Sequence, residues 1–199
     1  MKTTQVDLIR HGEPVGGRRY RGNGADDPLS ETGWRQMWTA VGDQASWDQI
    51  ISSPMQRCFA FARELASRHA LPLAVEPGFM EVGLGAWEGR SHAEVAATEP
   101  DAVAAFHRDP VGHRPPGAEP LEVFLNRITA AYARQTMTYP GRRLLIVCHA
   151  GVTRALIGHA LAADPSAWYR LRVDYAGLSR VCTDDLGPRV EFVNRRRLP

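Results

Sequence analysis

Arg143-Leu144-Leu145-Ile146-Val147-Cys148 is the most apolar stretch of the chain, and His149-Ala150-Gly151 leads it directly into a helical run from Val152 to Ala162. Six residues is strand length, and an unbroken apolar run is what a strand buried on both faces requires. A strand passing straight into a helix is the building unit of a parallel sheet, because parallel neighbours need a crossover between them. Working outward, the same unit recurs. Thr4 to Ile9 reads as a strand ending at Arg10, followed by a Gly/Arg-rich loop from Gly16 to Asp27 that is too polar to pack. Ser30 or Thr32 then opens a helix to about Asp43. Trp47 to Ser52 reads as a strand, and Ser53 as N-cap with Pro54 in the first helical position opens a helix to about His69.

Leu71 to Val75 is a third strand, and Phe79 to Arg90 a loop. Ser91-His92-Ala93-Glu94 fits a capping box at the start of a short helix. Pro110 to Pro120 is irregular, and Leu121 to Tyr139 is an amphipathic helix with Leu121, Phe124, Ile128 and Tyr132 on one face. Short strands near Leu171–Val173, Leu178–Thr183 and Val190–Asn194 complete the pattern. Strands alternating with helices predict an α/β fold with a mostly parallel sheet covered on both faces.

Composition narrows the function. The 199 residues are a single-domain length. A net charge of +2, with Arg195–Arg197 the only dense basic run, gives no footprint for nucleic acid. No apolar run approaches the length of a membrane span. Met1 to Thr4 leads straight into a strand, so no leader is expected, and three scattered cysteines fit a reducing cytoplasm. A homodimer is the default expectation for such a chain. Lys2 is the only lysine beside 23 arginines, so Schiff-base, Walker-type and S-x-x-K chemistries are excluded.

In parallel sheets ligands sit beyond the carboxyl ends of the strands. The residues there are Arg10-His11-Gly12-Glu13, Ser52-Ser53-Pro54 with Arg57, and His149-Ala150-Gly151. If the sheet gathers these ends, two arginine forks and two imidazoles face one pocket. Helix starts add N–H groups beside Ala150 and Gly151, making a site for a dianion such as phosphate. A neutral imidazole is a nucleophile toward phosphorus. His11 is the better placed of the two, because Gly12 leaves room for close approach. Glu81, in the glycine-rich stretch Met80 to Gly85, is the candidate proton donor. Beside a bound dianion, like-charge repulsion favours the protonated carboxyl that a donor needs.

The blocks L-I-R-H-G-E (8–13), S-S-P-x-x-R (52–57), M-E-V-G-L-G-A-W-E-G-R (80–90) and V-C-H-A-G (147–151) resemble the histidine phosphatase superfamily, which includes the phosphoglycerate mutases. The resemblance implies a three-layer α/β/α sandwich over residues 1–199, with a loop and helical insertion at about 79–120 over the site. It implies His11 as the phosphohistidine nucleophile, Arg10, Arg57 and His149 as phosphate ligands with Gly12 and Ala150 beside them, and Glu81 as acid then base. No metal and no cofactor is implied. Gly16-Gly17, R-G-x-x-x-D-D-P-L (21–29) and P-P-G-x-E (115–119) are most similar to alpha-ribazole-5′-phosphate phosphatases. The expected partner is therefore a small phosphorylated metabolite, alpha-ribazole 5′-phosphate of cobalamin biosynthesis, with a broad sugar or nucleotide phosphatase as the alternative. Gly17, where the mutases carry Asn, argues against a mutase.

Competing readings attach to the same residues. Arg10 and Arg57 could be surface ion-pair partners, Glu81 a solvated loop acid, and Arg154 a helix-start pairing residue. Glu13 reads as a loop-holding residue, and of the remaining histidines His92 and His113 could reach substrate. Cys148-x5-Arg154, between a strand and a helix, matches the layout of a cysteine phosphatase loop. A non-catalytic phosphate-binding module is the reading from outside the enzymes.

Overall fold

The computed structural model describes residues 2–43 and 46–197. In chain order the elements are β1 (Thr4–Arg10), α1 (Glu31–Val41), β2 (Gln49–Ser52), α2 (Gln56–His69), β3 (Leu73–Val75), α3 (His92–Thr98), α4 (Pro100–Arg108), α5 (Leu121–Thr138), β4 (Arg143–Cys148), α6 (Ala150–Ala160), β5 (Leu178–Asp184) and β6 (Gly187–Arg195). The six strands form one sheet in the order β3-β2-β4-β1-β5-β6. The first four of that order run parallel, while β5 is antiparallel to β1 and β6 to β5.

The alternation of β4 decides the layering. Leu144, Ile146 and Cys148 join Val6 and Leu8 against Phe124, Ile128, Val152 and Leu156 of α5 and α6. Leu145 and Val147 face the other way, with Ile9, Ile50, Met37, Phe61 and Leu65 of α1 and α2. One apolar core thus lies on each side of the sheet, as the unbroken hydrophobicity of the strand requires. A smaller cluster of Tyr20, Trp87, Val95 and Phe106 ties the loop after β1 to α3 and α4. Asp7, fully buried in β1, takes Nε–H of Arg180 at 2.6 Å and the Trp47 indole at 2.8 Å.

Three expectations are corrected. Ser53-Pro54 does not open α2. The helix starts at Gln56, and the Gln56 amide donates to Asp26 of the glycine-rich loop at 2.8 Å, leaving the Ser53 hydroxyl for His149. Leu171–Val173 forms no strand, because its carbonyls accept from arginine side chains: Leu171 from Arg154 and Val173 from Arg10. The loop 16–27 does pack. Arg21 is buried within it and bonds Asp27 and the carbonyls of Val15 and Gly17, while Arg57 bonds the carbonyls of Gly22 and Ala25. The capping box at Ser91 and Glu94 is present, and α4 falls within the expected loop and helical insertion.

Candidate active site

The register Arg10↔Cys148 sets the ends of β1 and β4 level, so the next residues, His11 and His149, stand side by side. Their ring centroids are 5.3 Å apart at 64°. His11 Nδ1 lies 2.7 Å from the Gly12 carbonyl. A carbonyl only accepts, so Nδ1 carries the proton and Nε2 keeps its lone pair. Gly12 therefore orients the imidazole. The space beside its Cα belongs to Gly33, whose carbonyl oxygen would lie 2.2 Å from an added Cβ, and not to an approaching ligand. His149, fully buried, caps α6 and places Nε2 2.8 Å from the Ser53 hydroxyl, with Cys58 Sγ against its ring.

Arg10 and Arg57 flank the imidazoles. Arg57 is 1% exposed, so it is no surface ion-pair partner; the nearest carboxylate, Asp26, is 3.8 Å away. Its Nη atoms hold loop carbonyls, and Arg10 Nη1 donates to Val173 at 2.7 Å. The Nε–H groups of both arginines are buried with no protein partner among the described residues. A buried donor left unpaired costs about 1–3 kcal/mol, more when charged, so these two groups favour an anion between them.

Glu81 reaches the same place from the loop after β3. Its carboxylate accepts the Gly151 amide in the first turn of α6 at 3.2 Å, and the Val82 amide at 3.0 Å. A Cβ at 151 would lie 2.2 Å from Glu81 Oε1, so a larger residue there would push the Glu81 carboxylate off the Gly151 amide. These residues border a cavity of about 590 Å³ that also takes in Ala150, His92, Arg154 and Tyr175. Seven arginines line it against two carboxylates, Glu81 and Asp174, although the whole chain is nearly neutral. His113 is exposed beside Asp109 and is not part of the lining, and Gly12 and His149 lie behind the wall. Glu13 holds the loop through its backbone, to Gln36 and Ser30. Tyr20 and Tyr175 are site residues that carried no signal of their own, and Ser53, marked as a strand-end residue and helix cap, serves His149 instead. Each is brought in by a contact distant in sequence.

The cysteine reading fails here. Cys148 is buried on the α5/α6 side of the sheet, and burial pushes its thiol up to about 12, far from the thiolate such chemistry needs. Among the described residues no three His, Cys, Asp or Glu side chains gather as metal ligands, and no helix is long and apolar enough to cross a membrane.

Burial, then the nearby Arg10 and Arg57 charges, hold the His11 imidazole well below its usual 6.5; for His149 the causes are burial, Arg57 and then His11. Both rings are neutral near pH 7. The native state thus resists protons that the unfolded chain accepts at about 6.5. Stability is complete above that pH and declines as pH falls from there toward the depressed native values, by up to about 2.7 kcal/mol per pH unit for two imidazoles. Urea midpoints at pH 7.5 and 5.5 check this. Saturating inorganic phosphate, which pairs with imidazolium, should flatten the difference, and equal midpoints without phosphate would contradict it.

Two imidazoles and two arginines thus meet at the carboxyl ends of the parallel strands of an α/β protein. The chain belongs to the histidine phosphatase superfamily (branch 1), whose family model matches residues 6–196. It is 34% identical over 180 residues to the bifunctional protein Rv2228c of Mycobacterium tuberculosis; the match covers 88% of this chain and 49% of that protein, so the chain spans about half the length of this relative. Among solved structures it is similar to the alpha-ribazole phosphatase of Shigella flexneri, at 27% identity and a TM-score of 0.82 over 98% of both chains. It is also similar to a mycobacterial glucosyl-3-phosphoglycerate phosphatase in complex with VO3, at 26% identity and a TM-score of 0.84 over 96% of this chain and 98% of the other.

Proposed function

We propose that the chain is a metal-independent phosphomonoester hydrolase working through a covalent phosphohistidine. The carrying observation is the unprotonated Nε2 of His11 beside His149, between two arginines whose buried Nε–H groups have no protein partner. His11 Nε2 attacks phosphorus in line with the leaving oxygen. The P–O bond breaks as the Glu81 carboxyl gives that oxygen its proton. Arg10 and Arg57, with the Ala150 end of α6, hold the remaining oxygens, where charge must be stabilised in the transition state; His149, the other expected phosphate ligand, backs the wall with Nε2 at Ser53. Glu81 then takes a proton from water, whose oxygen attacks phosphorus and breaks the N–P bond, releasing phosphate.

The substrate is alpha-ribazole 5′-phosphate in cobalamin biosynthesis, in the cytoplasm. Similarity to an alpha-ribazole phosphatase along nearly the whole chain supports this. So do the aromatic rings of Tyr20, Phe106, Tyr169 and Tyr175 on the cavity wall, against which a heteroaromatic base can lie. Residues 79–120 act as an insertion covering the site within one domain; Glu81, Leu84, His92 and Phe106 from this segment line the cavity. A broad sugar or nucleotide phosphatase is the second reading, favoured by the width of the cavity and by the likeness to a sugar-phosphoglycerate phosphatase.

The test is hydrolysis of p-nitrophenyl phosphate in the presence of a chelator, followed by kcat/KM for alpha-ribazole 5′-phosphate against a panel of sugar and nucleoside monophosphates. No turnover with retained phosphate binding would leave a binding module. Glu81→Gln should lower kcat/KM, which reports phosphoryl transfer to His11, by about 10²-fold for alkyl phosphates and much less for p-nitrophenyl phosphate, whose leaving oxygen needs no proton, while kcat falls for both because water loses its base. Equal kcat/KM losses on the two would remove Glu81 as the donor.

A further inference from the structure

The loop between the last 3-10 turn (Pro165–Arg170) and β5 wraps the residues that end β1. The Arg10 amide donates to Gly177, the Ala176 amide to His11, and Arg10 Nη1 to Val173. At its centre the Tyr175 ring lies 4.1 Å from the Arg10 guanidinium carbon and 5.9 Å from the His11 ring. Tyr175 thus completes the wall opposite His149. Tyr175, Asp174 and Asn194 also line a second cavity, of about 530 Å³. Tyr175 borders both spaces, and a restraint on its loop fixes which of them the ring occupies.

That restraint is Asn194 of β6. Its Oδ1 accepts the Asp174 amide at 2.7 Å and its Nδ2 donates to Asp174 Oδ2 at 3.1 Å, a two-point clamp. The Asn194 amide in turn donates to the buried Ser179 hydroxyl at 3.1 Å. The residue sits at φ +58° where the β5/β6 register shifts, a left-handed conformation that asparagine tolerates better than most residues. Bulges near active sites re-aim side chains in this way. We propose that Asn194 is a positioning residue, which acts through the Asp174–Tyr175 loop to hold the Tyr175 ring on Arg10 and His11 and so fix the phosphate-binding fork. This rests on the reading of Arg10 and His11 as phosphate ligand and nucleophile.

The ring and the clamp are separable by mutation. Tyr175→Phe keeps the face over Arg10 and should lose less affinity for inorganic phosphate than Tyr175→Leu. Tyr175→Leu and Asn194→Ala should each weaken phosphate binding and lower kcat/KM for p-nitrophenyl phosphate by about tenfold. The double variant Asn194→Ala/Tyr175→Leu should be no worse than either single one, because the clamp acts through the ring. Multiplying losses, or a Tyr175→Leu protein that binds phosphate like wild type, would overturn the inference. A wild-type protein that binds phosphate without turning over would defeat the enzymatic reading instead, and the phosphate Kd series would still decide the role of Asn194.

Discussion

His11→Ala is expected to lower kcat for p-nitrophenyl phosphate by at least about 10⁴-fold while the protein still binds inorganic phosphate. The two halves have separate origins. The proposed nucleophile is one atom, Nε2, whose lone pair is secured by the bond from Nδ1 to the Gly12 carbonyl. Neither His149, whose Nε2 is engaged with Ser53, nor the buried Cys148 can replace it. Removing a covalent nucleophile leaves only the catalysis contributed by binding and charge stabilisation. The proposed mechanism places phosphate affinity mainly with Arg10 and Arg57. Steady-state kinetics with calorimetry of phosphate binding check both parts. Activity within tenfold of wild type would show that attack comes from elsewhere.

Arg57→Ala is expected to cost about 10³-fold in kcat/KM, with a stability loss in addition. Arg57 carries two duties. Its guanidinium faces the site, and its Nη atoms bond the Gly22 and Ala25 carbonyls that fold the glycine-rich loop over the cavity. Losing a donor to the transition-state oxygens costs 10²–10³-fold, and freeing the loop adds to it. Arg57→Lys should recover little, because a compact ammonium lacks the planar fork that spans two loop carbonyls and an oxyanion together. Kinetics and urea unfolding on both variants check this; a lysine variant near wild-type activity would mean that charge alone suffices.

Much of the architecture was legible locally. An apolar β4 and the strand-to-helix rhythm imply a covered parallel sheet, and strand ends in such a sheet collect Arg10, His11, Arg57 and His149. What escaped depends on contacts remote in sequence. Ser53 looked like a helix cap because Ser-Pro is a start signal, yet Asp26, 30 residues away in the chain, takes the first free amide of α2. The 16–27 loop read as too polar to pack, but buried Arg21 and Arg57 satisfy its carbonyls from inside. Gly12 looked like room for a ligand and instead makes room for Gly33. The Leu171–Val173 run had strand composition, but its carbonyls are taken by arginines of the site. Asn194 and Tyr175 have no motif; the loop before β5 carries Tyr175 to Arg10, and the irregular pairing of β5 with β6 sets Asn194 against that loop.

The most direct test of the account is to trap the enzyme in turnover. Protein mixed with p-nitrophenyl phosphate, quenched in alkali and digested, should yield one phosphorylated peptide. The phosphoryl group should sit on His11, be stable in base and hydrolyse in acid. It should be absent from His11→Ala and accumulate in Glu81→Gln, where water lacks its base. A phosphoryl group on another side chain, or full turnover with none trapped at any time, would contradict the covalent route.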